Sequence, residues 1–308
     1  MPEWLYEDGI GEARAALVAD DRILAARIER PDTLRIGTVV AARLTDRLVA
    51  TLDDGAQVLL DRPPPGVTLG ARLTVEVTRE AIPEPGRAKR PRGRATDAPV
   101  APGPDLLARI TATPHPVRRL HPHDADALEA AGWSEVLEEA TDGEIAFAGG
   151  ALRMSPTPAM TLFDVDGDGD LASLALRAAT AVALAIRRHA IGGSIGIDFP
   201  SVAGKALRQE IAAALDAALP PPFERTAVNG FGFLQIVRSR PRASLPERLR
   251  EDPTGAAARA ALRVIERTPA GSSNRFHLPA AVRDRIVARG DWMEALMRRT
   301  GRTPIFDA

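Results

Sequence analysis

Met160-Thr161-Leu162-Phe163-Asp164-Val165-Asp166-Gly167-Asp168-Gly169-Asp170 runs from an apolar segment straight into an acidic turn. Four carboxylates within seven residues repel one another unless a positive charge lies between them. Pro158 to Phe163 reads as a strand. Leu171 to His189 reads as a helix, because Leu171, Leu174, Ala178, Ala181, Val182 and Ile186 recur at helical spacing. Gly192-Gly193 is placed to end it. A second apolar run, Ser194-Ile195-Gly196-Ile197-Asp198-Phe199, then carries another acid near its far end. Strand, helix and strand in that order predict a partly parallel sheet, which gathers ligands at the carboxyl ends of its strands. Asp164 and Asp198 fall there, 34 residues apart, and meet if their strands are neighbours. A divalent cation held by Asp164 and Asp198 is the expected chemistry.

Two other readings fit the same acidic turn. Asp-x-Asp-x-Asp-Gly also opens a helix-loop-helix calcium loop, with glycine sixth. Counted from Asp164, Gly169 is sixth, but the twelfth position is Ala175 rather than a bidentate Glu. The entering segment also reads as a strand where that loop needs a helix. Alternatively the acids only cap the following helix, since Asp is a preferred N-cap. Asp168 and Asp170 suit that role; Asp164 precedes the turn and does not.

The 308 residues are 45% hydrophobic and 26% charged, the balance of a globular protein with room for two or three compact units. No stretch approaches the roughly 20 apolar residues of a membrane span. Met1 to Asp8 is acidic and unlike a secretory signal, so the protein is expected in the cytoplasm. Cysteine is absent, which excludes disulfides, thiolate zinc sites, iron–sulfur clusters and thiol nucleophiles. With a net charge of −1, a polyanion must be held by a local basic patch. His115, His121 and His123 lie among prolines and read as an exposed loop rather than a metal cluster.

Outward from the acidic centre, Arg14 to Ala19 and Arg22 to Glu29 read as strands about Asp20-Asp21. Gly37 to Leu44, Leu48 to Leu52, Ala56 to Leu60 and Ala71 to Thr78 are short alternating runs, which predict a small antiparallel barrel. Arg87 to Arg94 holds five positive charges, and Thr96 to Pro104 is rich in Pro, Ala and Gly. Together they predict an exposed linker, with Lys89, Arg90 and Arg92 either solvated or touching RNA. Helices are expected over His123–Ala140, Val202–Leu219, Ala256–Arg267 and Ala280–Arg289. Glu144 to Phe147 and Ala151 to Met154 predict a hairpin, Phe231 to Val237 a strand, and Asn274–Leu278 and Thr303–Phe306 two more.

Three of these stretches carry a resemblance. Phe163-Asp164-Val165-Asp166-Gly167 looks like an Ile-Asp-Val-Asn-Ser/Thr-Gly metal motif. Gly192-Gly193-Ser194-Ile195-Gly196-Ile197-Asp198-Phe199 looks like Gly-Gly-x-Ile-x-Ile-Asp-Phe. Phe231-Gly232-Phe233-Leu234-Gln235-Ile236-Val237-Arg238-Ser239-Arg240 looks like Phe/Leu-Gly-Leu-x-Glu-Met-Thr-Arg-x-Arg. In this order and spacing they resemble the ribonuclease E/G family, over about Gly143 to Leu245. The resemblance implies an endoribonuclease that cuts single-stranded RNA with Mg2+, or Mn2+ in its place, leaving 5′-phosphate and 3′-hydroxyl ends. It makes Asp164 and Asp198 the metal ligands and puts Asp166 where the family has a water-holding asparagine. Arg238 and Arg240 match a basic pair, expected on one strand face beside phosphates, and Lys205 and Arg208 extend the basic wall. A scaffold that binds RNA with little or no cleavage is the alternative.

The chain departs from the family too. Gln235 replaces glutamate, and the zinc-binding cysteine link is missing, so no zinc is expected and a homodimer is the assembly left open. No Phe, Tyr or Trp occurs between Tyr6 and Trp133, so the barrel offers RNA no stacking surface. The expected fold is α+β: an RNase H-like/DNase I-like mixed-sheet nuclease core, a degenerate OB-type barrel and a small C-terminal α/β domain. Residues 1–34 are expected to join the core, 35–86 to form the barrel, 87–104 the linker, 105–250 the catalytic domain and 251–308 the C-terminal domain. The partner is single-stranded RNA, with no membrane.

Overall fold

The computed structural model describes every residue except Pro85, Arg87, Ala270 and Ala308. Arg87 of the basic run therefore lies outside the described residues. The chain opens with β1 (Glu3–Gly9), β2 (Glu12–Ala19) and β3 (Arg22–Glu29), then β4 (Val39–Asp46), β5 (Val49–Thr51), β6 (Gln57–Leu60), β7 (Arg72–Arg79) and β8 (Arg92–Thr96). Next come α1 (Leu106–Thr111), β9 (Val117–Leu120), α2 (Ala127–Ala130) and α3 (Trp133–Asp142). The central stretch holds β10 (Glu144–Phe147), β11 (Gly150–Pro156), β12 (Thr161–Gly167), α4 (Leu171–Arg188), β13 (Gly193–Asp198), α5 (Lys205–Ala218), β14 (Glu224–Arg225) and β15 (Phe233–Arg238). The last elements are α6 (Leu245–Glu251), α7 (Pro253–Arg267), β16 (Arg275–His277), α8 (Ala280–Val287), α9 (Gly290–Thr300) and β17 (Ile305–Asp307).

The chain divides into two compact units. The first gathers Met1–Thr33, Asp105–Trp133 and Arg248–Ala308; the second holds Leu34–Pro104 and Ser134–Glu247. In the first, the sheet order is β3-β2-β1-β9, with β9 parallel to β1. Residues 1–34, expected to join the nuclease sheet, instead form a separate sheet with β9: β2 and β3 are the two strands expected there, and β1 is one the sequence reading did not place. Trp4, Ala15, Leu17 and Ala25 pack on Leu106 and Ile110 of α1, and burial on that helix is what draws them here. The C-terminal segment is not separate either: Ile10 packs with Leu262, Ile286, Trp292 and Leu296 from α7, α8 and α9. The helix expected over His123–Ala140 is two helices, broken where Gly132 takes φ +91°, a conformation that ends a right-handed helix.

The second unit combines a closed barrel, β4-β5-β6-β8-β7, with a six-stranded sheet, β10-β11-β12-β13-β15-β14. β8 closes the barrel, parallel to β6 and antiparallel to β7. It comes from the stretch expected as linker, so residues 35–86 lack the barrel's final strand. A Cβ on Gly93 would come within 2.6 Å of the Val75 side chain and 2.8 Å of Glu76 O, so close packing selects glycine there. In the sheet, β12 and β13 are parallel and the other pairings antiparallel, the mixed arrangement the alternation predicts. The core lies on one face, where Leu174, Ala178, Val182 and Ile186 of α4 and Ile211 and Leu215 of α5 meet Phe163, Ile195, Ile197, Leu234 and Ile236. Leu171, expected in that stripe, is exposed. The helix ends at Arg188 with His189 as its C-cap, where it was expected, but the paired glycines do not make the turn. Ala190 takes the left-handed conformation (φ 55°), and Ile191 N donates to Ile186 O at 2.9 Å, the Schellman arrangement. Gly192 serves close approach instead: a Cβ there would meet Ser239 O at 2.7 Å.

Candidate functional site

Register brings the two aspartates together. Asp164 and Asp198 are direct partners at the end of the β12–β13 ladder, on strands about 4.8 Å apart. Phe163, Val165 and Ile197 point into the core, so alternation turns Asp164, Asp166 and Asp198 to the opposite, exposed face. β12 runs on to Gly167 beside β11, which carries Asp166 past the end of β13. Among the described residues, neither the Asp164 nor the Asp198 carboxylate takes a hydrogen bond from the protein, and no group of three or more His, Asp or Glu converges. Two free, facing carboxylates suit a hydrated Mg2+, which keeps several waters and takes only one or two carboxylates. The donor set fits that ion.

The calcium-loop geometry fails: Ala175, the twelfth position, is fully buried inside α4, and a strand enters the turn. Asp170 is the helix N-cap, taking Ser173 N at 2.9 Å and Ser173 Oγ at 2.7 Å. Those two bonds hold its pKa below the ordinary carboxylate value.

Sequence reasoning missed Arg153 and Phe231. Arg153 of β11 is the register partner of Asp164 and of Glu144, so one cross-strand row reads Glu144, Arg153, Asp164, Asp198, Phe233. Its Nε donates to Glu144 Oε1 at 2.9 Å. That bond, with the charge of Glu144 and then of Asp166 and Asp164, raises its pKa. The hairpin spacing carried this pairing, had the strands been aligned outward from the Ala148-Gly149 turn. Phe231 stands 83% exposed in the loop entering β15. Asn229 Oδ1 accepts from Phe231 N at 2.9 Å and Phe233 N at 3.0 Å. Phe199 N donates to Gly232 O at 3.2 Å, and Ser201 Oγ to Phe231 O at 3.1 Å. The loop is thus pinned to the residues directly after Asp198.

The expected basic residues scatter. Arg238 shares the face of Leu234 and Ile236, opposite the aspartates, and pairs with Gly193. Five residues of β13 separate that level from Asp198, about 16 Å at 3.3 Å per residue. Burial pushes its pKa down. Arg240 lies beyond the strand, held by Glu247 and, at 3.4 Å, by Glu84. The pair therefore does not line the aspartate face, because β15 runs antiparallel to β13. Lys205 is exposed at the first position of α5 and Arg208 is one turn on, its Nη1 3.5 Å from Val202 O. On the barrel, Lys89 meets Glu84 at 2.6 Å and Arg92 meets Asp61 at 2.8 Å; Arg90 is exposed. Exposed pairs of this kind contribute little to stability.

Compared with protein-family models the chain matches none, and a search of curated proteins returns no match. No helix among the described residues is long and apolar enough to cross a membrane.

Proposed function

We propose that this protein is a Mg2+-dependent endoribonuclease, a short and divergent relative of the ribonuclease E/G family, cutting single-stranded RNA to 5′-phosphate and 3′-hydroxyl ends. The observation that carries the reading is the direct pairing of Asp164 with Asp198 at the open end of the parallel ladder. The six-stranded sheet with its two helices is then the nuclease core, and the five-stranded barrel an OB-type module. Asp164 and Asp198 would hold the ion. When bound, it supplies an activated water and neutralises charge developing on the phosphoryl oxygens. Asp166, one step beyond the ladder, accepts a proton of the attacking water and orients it. Arg153 supplies the local positive charge that draws a phosphate to an acidic face. Phe231 stacks a nucleobase beside Asp198, a ring contact the aromatic-free barrel does not offer. Lys205 and Arg208 extend the phosphate track at the start of α5.

The test is cleavage of a labelled single-stranded RNA in Mg2+ or EDTA, with end-group analysis, beside Asp164→Asn and Asp198→Asn. Each substitution is expected to lower the rate at least about 100-fold, roughly 2.7 kcal/mol at 1.36 kcal/mol per tenfold. Cleavage that persists in both variants refutes the assignment. A second reading, RNA binding with little or no cleavage, draws on the carboxylate at 166 in place of an amide; it predicts retained RNA binding with intact substrate.

A further inference from the structure

The open face of the six-stranded sheet holds an uncharged patch in the row next to the aspartates. Leu162, Gly196 and Gln235 are successive register partners on β12, β13 and β15, beside the row of Asp164, Asp198 and Phe233. Leu234 and Ile236 lie in the core, so alternation turns Phe233 and Gln235 to the aspartate face. A Cβ on Gly196 would fall 2.7 Å from Phe233 Cζ, 2.8 Å from Leu162 Cδ2 and 2.9 Å from Met160 Sδ. The Phe233 ring therefore reaches diagonally from the Asp198 level over the bare Gly196 backbone, a close approach that selects glycine in a strand. Ring, leucine methyl and thioether, all partly exposed, make an apolar floor that adjoins the two carboxylates.

Gln235 borders this floor. Its backbone is engaged: Gln235 N donates to Thr226 Oγ1 at 3.0 Å, and Thr226 N to Gln235 O at 2.9 Å. Its carboxamide makes no hydrogen bond among the described residues and is partly exposed. One acceptor and one donor group thus stand side by side at the edge of a stacking surface.

Resting on the nuclease reading, we infer that this patch is a base-reading subsite that selects adenine in a nucleotide next to the scissile phosphate, separate from the base on Phe231. Adenine stacks on Phe233 while the Gln235 carboxamide accepts from N6–H and donates to N7. Stacking tolerates every base, so selection falls to the amide. The N6/N7 edge of adenine matches it; the O6/N7 edge of guanine presents two acceptors and sets one against the amide oxygen. Pyrimidines lack the N7 edge and cover less of the ring. A carboxylate, as in the resembled family, only accepts; Gln235 also donates.

Fluorescence anisotropy on the full chain in EDTA tests this with labelled oligo(A), oligo(C), oligo(U) and oligo(7-deazaadenosine), which keeps the N6 amine but has carbon in place of N7. Oligo(A) is expected to bind about fivefold or more tighter than the other three, the least a bidentate base contact supplies. Gln235→Ala loses that margin with an unchanged melting curve, and Phe233→Leu weakens oligo(A) by about fivefold or more. With Mg2+, wild type is expected to cut a mixed-sequence single-stranded RNA beside adenines, and Gln235→Ala without regard to base. The inference is overturned if oligo(A) and its 7-deaza form bind alike, or if Gln235→Ala keeps the preference for oligo(A). Cutting that needs Asp164 and Asp198 but ignores base identity overturns the subsite and supports the nuclease. An adenine preference in EDTA with no cutting in Mg2+ supports the base site and refutes the nuclease.

Discussion

Phe231 shows how a single side chain gains an exposed, fixed position that its sequence does not display. Its stretch was legible as a strand entry, but period-two alternation says nothing of a residue in the preceding loop. Exposure comes from Asn229, which holds two successive amides, and from Gly232, where a Cβ would strike Phe199 O at 2.2 Å. An aromatic ring held rigidly in water loses little entropy on stacking. Phe231→Ala is expected to weaken single-stranded RNA binding by about 5- to 150-fold, the equivalent of 1–3 kcal/mol per stacked base. Melting temperature should stay nearly unchanged, because Phe231 is 83% exposed. Fluorescence anisotropy with a labelled oligonucleotide in EDTA reads the affinity, and equal affinity for the variant removes the stacking role. Arg153 was hidden for a related reason: its partners lie across strands, and only register names them.

Among the elements, α4 and its bounds were legible because its apolar positions repeat within one helix, yet the residue that turns the chain at its end was not. The paired glycines are the obvious stop, but the chain turns at Ala190. Glu139 of α3 secures that end, taking Arg188 Nη1 at 2.7 Å and the fully buried His189 Nε2 at 3.0 Å. Burial raises the Glu139 pKa, but the His189 bond and the Arg188 charge outweigh it, holding the carboxyl below its ordinary 4.5. A depressed folded value stabilises at neutral pH and is lost as pH falls through it. Glu139→Gln should therefore be less stable than wild type at pH 7 by about 1.5–3 kcal/mol, as for a hydrogen bond to a charged group. The difference should shrink as pH drops below 4.5. Thermal melts across pH 3–7 (roughly the window of carboxylate titration) check this; a gap that does not narrow on acidification refutes it. β1 was overlooked because its acidic residues obscure the alternation, although Trp4, Leu5 and Glu7 are buried.

At the scale of the whole molecule, the first unit is assembled from three segments far apart in the chain. Arg14, 2% exposed, donates to Glu7 at 2.8 Å, Glu12 at 2.9 Å and Arg259 O at 3.1 Å. Arg263 and Arg267 complete the shell of Glu7 at 2.9 and 3.1 Å, and Trp292 packs so closely on Gly11 that a Cβ there would fall 2.7 Å from its ring. Breaking a buried ion pair costs about 3–5 kcal/mol, a large part of a domain's stability. Truncation after Glu247 is thus expected to unfold β1, β2 and β3 while β12 and β13 keep their protection. Hydrogen exchange read by mass spectrometry decides; protected amides in β2 of the truncated chain would refute the interdependence.

The sequence by itself determined where strands and helices form around the acidic turn, that each aspartate closes an apolar run, and that short strands build a barrel. Side-chain periodicity, turn residues and caps act over a few neighbours, so they can be read locally. Only the tertiary structure decided that Asp164 faces Asp198, that Arg153 stands beside them, that Arg238 turns away, and that residues 92–96 close the barrel. Strand order and register follow from burial and backbone hydrogen bonds between distant segments, energies no local stretch contains.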